Sequence, residues 1–198
     1  MSPFRRFPFG NRWASTTASV AGMAILFVAA GMAVATSVAM VDGRDAIALA
    51  TATAVTGLIG LALFHVAKPD SQDQAAVFSA VGTTWLVASL LGALPYLLAG
   101  TFAVAGRPWA IVLADSLFES ISGFSCTGST VFGSHNPIEA QGSGILMYRQ
   151  LTQWAGGMGI VVLVVMVLPS LRSSGLGLID AEAPGMGVDR LAPRISTT

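Results

Sequence analysis

The chain has 198 residues, of which 54% are hydrophobic and only 10% are charged, with a mean hydropathy of +0.72 and a formal net charge of zero. A soluble globular domain carries about 25% charged residues, so the composition argues against a soluble enzyme. It also argues against a disordered chain or a nucleic-acid binder, which need high charge or a basic face. The single cysteine, Cys126, excludes an internal disulfide and a multi-cysteine metal site.

Four long stretches of the chain contain no charged side chain. A helix needs about 20 apolar residues to cross a bilayer, and its backbone groups are all paired internally, as lipid requires. Buried core helices of a soluble protein are shorter and usually carry a polar stripe. The sequence therefore predicts four membrane-spanning helices, in the stretches Trp13–Val41, Ala46–Ala67, Gln74–Gly106 and Gln150–Leu171.

The positively charged residues predict the orientation, because Lys and Arg concentrate on the cytoplasmic side of membrane proteins. With the N-terminus inside, seven of them fall in inner segments: Arg5, Arg6, Arg12, Lys68, Arg172, Arg190 and Arg194. Three fall in outer segments: Arg44, Arg107 and Arg149. We therefore expect both termini in the cytoplasm.

The segment between the third and fourth stretches contains a further apolar helix. It starts next to Pro108, since proline suits the first turn of a helix, and runs from Trp109 to Phe124. Sixteen residues reach about 24 Å, short of the ~30 Å hydrocarbon core. Asp115 and Glu119 lie one turn apart on a face that cannot contact lipid.

The residues after this helix, Ser125 to Val131, are small and rich in hydroxyl groups, and they do not favour a helix. Irregular backbone at membrane depth is tolerated only where it is buried or lines a water-filled cavity. Gly128 permits backbone angles that let carbonyls point inward in succession, and such carbonyls replace the hydration shell of a cation. The pattern is that of a re-entrant ion filter; an extracellular loop rich in serine and glycine is the alternative.

Several single residues carry narrower expectations. Pro95 should kink or end the third helix, because it removes a backbone hydrogen bond. Glu119 would either attract cations from behind the filter or anchor the loop by hydrogen bonds. Gly156, Gly157 and Gly159 would either allow close helix packing or let the last helix bend.

An enzyme remains a weaker hypothesis. An intramembrane serine protease needs a serine nucleophile within hydrogen-bond reach of a histidine base. Ser125 or Ser143 with His65 or His135 could form such a pair, although none of these serines lies in a Gly-x-Ser-x-Gly elbow. We therefore expect that the protein is not an enzyme.

Five segments together resemble the Trk/Ktr/HKT potassium transporters, and most closely their TrkH-type branch. Residues 118–131 are similar to the first pore loop of that family, and residues 148–160 to the start of the helix that follows it. Residues 91–96 resemble the end of the helix before the pore, while residues 181–185 and 191–195 resemble the cytoplasmic link to a second repeat.

The resemblance implies a fold and a set of filter residues. The family has four helix–pore-loop–helix repeats around one pore, and this chain corresponds to the N-terminal portion with the first repeat only. One quarter of the filter would be formed by Cys126, Thr127, Gly128, Ser129 and Thr130. Potassium would bind the backbone carbonyls of Cys126, Thr127, Gly128 and Ser129. The family more often has threonine at position 126, where cysteine lacks the hydroxyl.

The expected architecture is thus an all-α membrane protein with four spanning helices, one re-entrant pore helix and a filter loop. Residues 1–72 would form an N-terminal helix pair, residues 73–172 the repeat, and residues 173–198 a cytoplasmic tail. The resemblance implies the bacterial inner membrane, potassium as the transported ion, and no other cofactor. The implied partners are lipid, the remaining pore repeats, a cytoplasmic nucleotide-binding regulatory subunit and a second copy in a homodimer. A non-conducting fragment or assembly subunit is the alternative.

Overall fold

Helices make up most of the chain in the computed structural model, which describes residues 12–66, 74–133 and 136–182. These described parts contain six α-helices, one 3₁₀ turn over Ile138–Ala140 and no strand beyond a single bridge between Gly133 and Asn136. The all-helical class is confirmed. The helices are α1 (Arg12–Asp42), α2 (Ala46–Val66), α3 (Gln74–Gly92), α4 (Leu94–Leu98), α5 (Trp109–Phe124) and α6 (Ser143–Glu182).

Three helical stretches of the described residues are long and apolar enough to cross a membrane: Thr17–Asp42, Ala46–His65 and Phe78–Leu98. They lie within the first three uncharged stretches, except that the first span ends one residue later, at Asp42. The fourth uncharged stretch lies within α6, whose backbone is helical throughout. Most of its side chains beyond Val161 lie outside the described residues, so a fourth crossing stays a prediction. The same holds for the orientation, because none of the seven inner arginines and lysines has a described side chain.

The chain divides into two units, residues 1–159 and residues 160–198. The described part of the second unit is the C-terminal part of α6, so the first ten residues of the predicted tail are helical. The first unit contains every other described element, including α5 and the loop after it. The predicted boundaries at residues 72 and 172 stay predictions.

Helices α1 and α2 form a close hairpin. The turn between them has positive φ angles at Gly43 (72°) and Asp45 (59°), which reverse the chain within three residues. Along the contact, a Cβ added at Gly22 would lie 2.6 Å from the backbone nitrogen of Phe64. Glycine is therefore required there, as is usual where two membrane helices approach closely.

Helix α3 is interrupted just before Pro95, as the sequence predicts. Pro95 has no N–H to donate, and the N–H of Ala93 donates to the carbonyl of Leu90 instead of continuing the α-helical ladder (3.3 Å). Helix α4 then starts at Leu94, with the proline in its first turn. The third candidate span is thus two helices joined by a break.

Two carbonyls beside this break accept hydrogen bonds from other helices. The Ser120 hydroxyl of α5 donates to the carbonyl of Ser89 (2.7 Å), and the Tyr148 hydroxyl of α6 donates to the carbonyl of Gly92 (2.8 Å). A Cβ at Gly92 would lie 2.5 Å from the Ser120 oxygen. The break therefore ties α3 to both α5 and α6 and fixes the position of α5.

Candidate ion-filter site

Helix α5 has the predicted bounds and the predicted start. Pro108 precedes it as the N-cap residue with φ −61° and ψ 140°, and the helix runs from Trp109 to Phe124. Extended backbone at the cap is what the fixed φ of proline allows. The helix is too short to cross a bilayer, which fits a segment that enters the membrane and turns back.

The polarity of α5 is the reverse of that of a helix on a soluble protein. Its buried face is polar, with Ser116, Glu119, Ser120 and Ser122 all at most 5% exposed. Its exposed face is apolar and includes Phe118 and Ile121, which are 45% and 52% exposed. A water-facing helix has the opposite pattern. The exposed face therefore suits lipid or protein. On the polar face, Glu119 and Ser122 contact the loop after the helix, whereas Ser120 contacts α3.

The loop from Ser125 to Thr130 is exposed and irregular, as predicted. Two of its alternate residues, Cys126 (56°) and Gly128 (74°), have positive φ. Glycine adopts this region freely, whereas for cysteine it is strained. The loop leaves α5 through a hydrogen bond from the Cys126 N–H to the carbonyl of Gly123 (3.0 Å). Cys126 and Gly128 therefore lie in the left-handed region of backbone conformation, and the loop does not continue the helix.

Glu119 holds the far end of the loop. Its carboxylate, 1% exposed, accepts hydrogen bonds from the Thr130 hydroxyl (3.0 and 3.1 Å) and from the Val131 N–H (3.0 Å). Of the two roles considered for Glu119, the contacts are those of an anchor. The hydroxyl of Thr130 is accordingly turned back toward α5.

Arg149 completes this anchor, and sequence reasoning missed it as a site residue. Its Nε lies 2.5 Å from Glu119 Oε1, and the side chain is only 10% exposed. By sequence it is one of the outer positive charges, like Arg107, which pairs at the surface with Asp115 (2.5 Å). An unpaired Glu119 on an apolar helix was the available signal, because a buried carboxylate needs a partner.

One of the four predicted carbonyl ligands is engaged elsewhere. The hydroxyl of Ser122 donates to the carbonyl of Ser129 at 2.5 Å, so this oxygen is directed at α5. This contact makes Ser129 a second anchor of the loop, and its predicted role as a potassium ligand stays a prediction. Among the described residues, no protein hydrogen bond ends on the carbonyls of Cys126, Thr127 or Gly128.

The near end of the loop is seated on α6. The thiol of Cys126 donates to the carbonyl of Gln153 (3.0 Å) and so is directed at α6. A Cβ at Gly156 would overlap the carbonyl oxygen of Phe124 and lie 2.8 Å from its carbon. At Gly156 the structure thus favours close packing over bending, since only glycine leaves room for the loop backbone.

Two further hydroxyls of the loop, those of Ser125 and Thr127, pair with each other. The oxygens of Ser125 and Thr127 lie 2.7 Å apart. Ser125, one of the two serines that the protease hypothesis considers, thus has a threonine and not a histidine as its hydroxyl partner. His65 contacts the ring of Phe64, while His135 lies outside the described residues. The described contacts thus bring no histidine to Ser125.

The turn between α1 and α2 supports the start of α6. The carboxylate of Asp42 accepts the N–H of Ser143 (2.9 Å), which is the first residue of α6. Arg44 donates to the carbonyl of Ala140 (3.0 Å), within the 3₁₀ turn that precedes α6. The first contact satisfies a donor that a helix N-terminus leaves unpaired, and the second satisfies a carbonyl of the preceding turn.

Comparison with known proteins gives consistent matches. The sequence model of the TrkH family, described as cation transport protein, matches residues 44–192. The Trk system potassium uptake protein TrkH of Halomonas elongata is 44% identical over 115 residues, which are 58% of this chain and 22% of that protein. TrkH of Escherichia coli K12 is 38% identical over the same shares.

A third relative matches nearly the whole chain. The Trk system potassium uptake protein TrkI of Halomonas elongata is 29% identical over 188 residues, which are 93% of this chain and 35% of that protein. The chain thus spans about a fifth to a third of the length of these curated relatives. No solved structure matches.

Proposed function

The chain belongs to the TrkH family of cation transport proteins, and we propose that it takes part in potassium transport by contributing one quarter of a carbonyl-lined filter. Potassium would bind the backbone carbonyl oxygens of Cys126, Thr127, Gly128 and Ser129. Thr130 and Ser129 would hold the loop in place from behind. Apart from the transported potassium ion, this chain would bind no cofactor.

The observation that carries the proposal is the fixation of the loop at both ends with its middle free. Cys126 is held by Gln153, and Thr130 is held by Glu119. Between them, the carbonyls of Thr127 and Gly128 accept no protein hydrogen bond among the described residues, whereas that of Ser129 accepts one from Ser122. Neutral oxygens suit a monovalent ion, which must bind and also leave, and a rigid loop keeps them in place when the ion departs.

The proposed arrangement in the membrane extends the three candidate spans. Helix α6 would be the fourth span and α5 with its loop the re-entrant segment, with both termini in the cytoplasm of a bacterial cell. One loop can contact an ion from one side only, so the other three quarters of the ring would come from further pore repeats. A nucleotide-binding regulatory subunit and a second copy of the assembly are further proposed partners.

Transport by a chimera tests the proposal. Residues 44–192 replace the matching segment of the Escherichia coli relative, in cells that lack other potassium uptake systems. We expect growth at low potassium, and loss of growth and of potassium uptake with Gly128→Arg. The matched control is Gly106→Arg, because Gly106 also has a positive φ (82°) and free space in front of its Cα.

Two results would contradict the proposal. Equal uptake by the Gly128→Arg chimera and its parent would exclude the loop from the filter. An inserted chimera without uptake would favour the non-conducting assembly role instead. The purified chain alone, reconstituted in liposomes with a potassium gradient, should give no sustained potassium flux. A flux that Gly128→Arg blocks would mean that four copies of this chain form the pore, without further repeats.

A further inference from the structure

An apolar groove runs between α1 and the first turns of α6, beside the end of the pore helix. Its volume is about 210 Å³. Phe27, Gly31 and Val34 line it from α1, Leu151 and Trp154 from α6, and Phe124, the last residue of α5, also lines it. This is larger than the roughly 150 Å³ apolar cavity that is known to bind benzene.

The two hydroxyl groups at this groove already make hydrogen bonds. The hydroxyl of Tyr148 donates to the carbonyl of Gly92, and that of Thr152 donates to the carbonyl of Arg149 (2.7 Å). The lining contains no charged residue. An occupant therefore needs no hydrogen-bonding group, and a polar one would lose its own hydrogen bonds to water.

The depth of the groove identifies the medium that surrounds it. Residues 27–34 of α1 lie in the middle of the candidate span Thr17–Asp42, at the level of the hydrocarbon core. The rings of Phe27 and Trp154 stand 6.0 Å apart, and both are about half exposed. These two rings place the groove beside exposed apolar side chains of α1 and α6, at a depth where the surrounding medium of a spanning helix is hydrocarbon.

We propose that the groove binds one hydrocarbon chain of a membrane phospholipid. An open apolar groove at this depth fills with the surrounding hydrocarbon, because leaving it empty forfeits dispersion contacts along its whole lining. The bound chain contacts Phe124, one residue before the irregular loop. The inference rests on membrane embedding alone and is independent of ion conduction.

Quenching of Trp154 by brominated lipid tests this site. Trp13, Trp85 and Trp109 are replaced by phenylalanine, and the chain in detergent micelles is titrated with phosphatidylcholine carrying bromines in the middle of both acyl chains. We expect saturable quenching of Trp154. Gly31→Phe should weaken the apparent affinity about tenfold, because the new ring enters the groove; the nearest atom to a Cβ at Gly31 is 4.0 Å away.

Gly82→Phe is the matched control, since Gly82 lies on α3 with no atom within 4 Å of a built Cβ, and it should leave the titration unchanged. Quenching that rises linearly with lipid concentration and is the same in the Gly31→Phe variant would overturn the proposal, because it reports general contact with lipid. A photoreactive benzophenone side chain at Val34 gives a second readout in native membranes, with the tryptophans intact. Products of lipid mass support the site, whereas products of protein mass mean that polypeptide covers it.

Discussion

Arg149 and Glu119 form a buried ion pair that joins two helices across 30 residues of sequence, with Nε and Oε1 2.5 Å apart. The same carboxylate receives the Thr130 hydroxyl and the Val131 N–H. One charged group therefore connects α5, the end of the proposed filter loop and the start of α6. This explains how an arginine can be buried at the start of an otherwise uncharged stretch.

Breaking the pair from one side should be costly. Arg149→Gln leaves the Glu119 carboxylate buried without its counter-charge, and such changes cost about 3–5 kcal/mol. The free energy of unfolding in mixed micelles measures the loss. Arg107→Gln is the control, since its pair with Asp115 is 40% exposed on the arginine side and should cost less than about 1 kcal/mol. Equal losses of stability for the two variants would mean that the buried pair stabilises the fold no more than the surface pair does.

The two buried tyrosines at the helix break should respond differently to loss of the hydroxyl. Tyr148→Phe leaves the carbonyl of Gly92 without a donor, which costs about 1–3 kcal/mol. Tyr96→Phe should be neutral or stabilising, because its buried hydroxyl has no partner among the described residues. Their ring centroids lie 5.5 Å apart, so the packing environment is shared. Thermal unfolding of both variants measures the two effects. A loss of stability for Tyr96→Phe comparable to that for Tyr148→Phe would show that the Tyr96 hydroxyl is hydrogen-bonded.

Gly156 and Gly157 provide a second matched pair. Gly156→Ala forces a methyl group against the carbonyl of Phe124, and overpacking of this kind costs about 1–3 kcal/mol. Gly157→Ala meets only the Cys126 sulfur at 3.6 Å, so it should be neutral or gain up to about 1 kcal/mol of helix propensity. Unfolding in mixed micelles separates them. If both variants are equally stable, the loop is not seated on Gly156.

The single thiol reports the proposed orientation. Cys126 is exposed, and residues 107–149 are predicted to lie on the outer side. A small membrane-impermeant thiol reagent should modify it when added from the periplasmic side, while a bulky one should not enter the loop. The Cys126→Ser variant is the blank for this labelling. Modification from the cytoplasmic side alone would reverse the topology.

The sequence by itself determined the features that depend on local chemistry. The uncharged stretches contain the three candidate spans, Pro108 and Pro95 mark a helix start and a helix break, and the small hydroxyl residues after Phe124 leave the helical conformation. Each of these features depends on hydropathy or on backbone sterics within a few residues, so neighbours along the chain carry the whole signal.

Only the tertiary structure decided which groups meet. Nothing local indicates that Arg149 pairs with Glu119, that the Cys126 thiol is bound by Gln153, or that the Ser129 carbonyl is taken by Ser122. The first two contacts join residues 30 and 27 positions apart, and the third depends on how the loop folds back over its own helix. A buried polar group must find a partner, but sequence spacing fixes neither the partner nor the direction of a loop carbonyl; those are set by the packing of α3, α5 and α6 around the helix break.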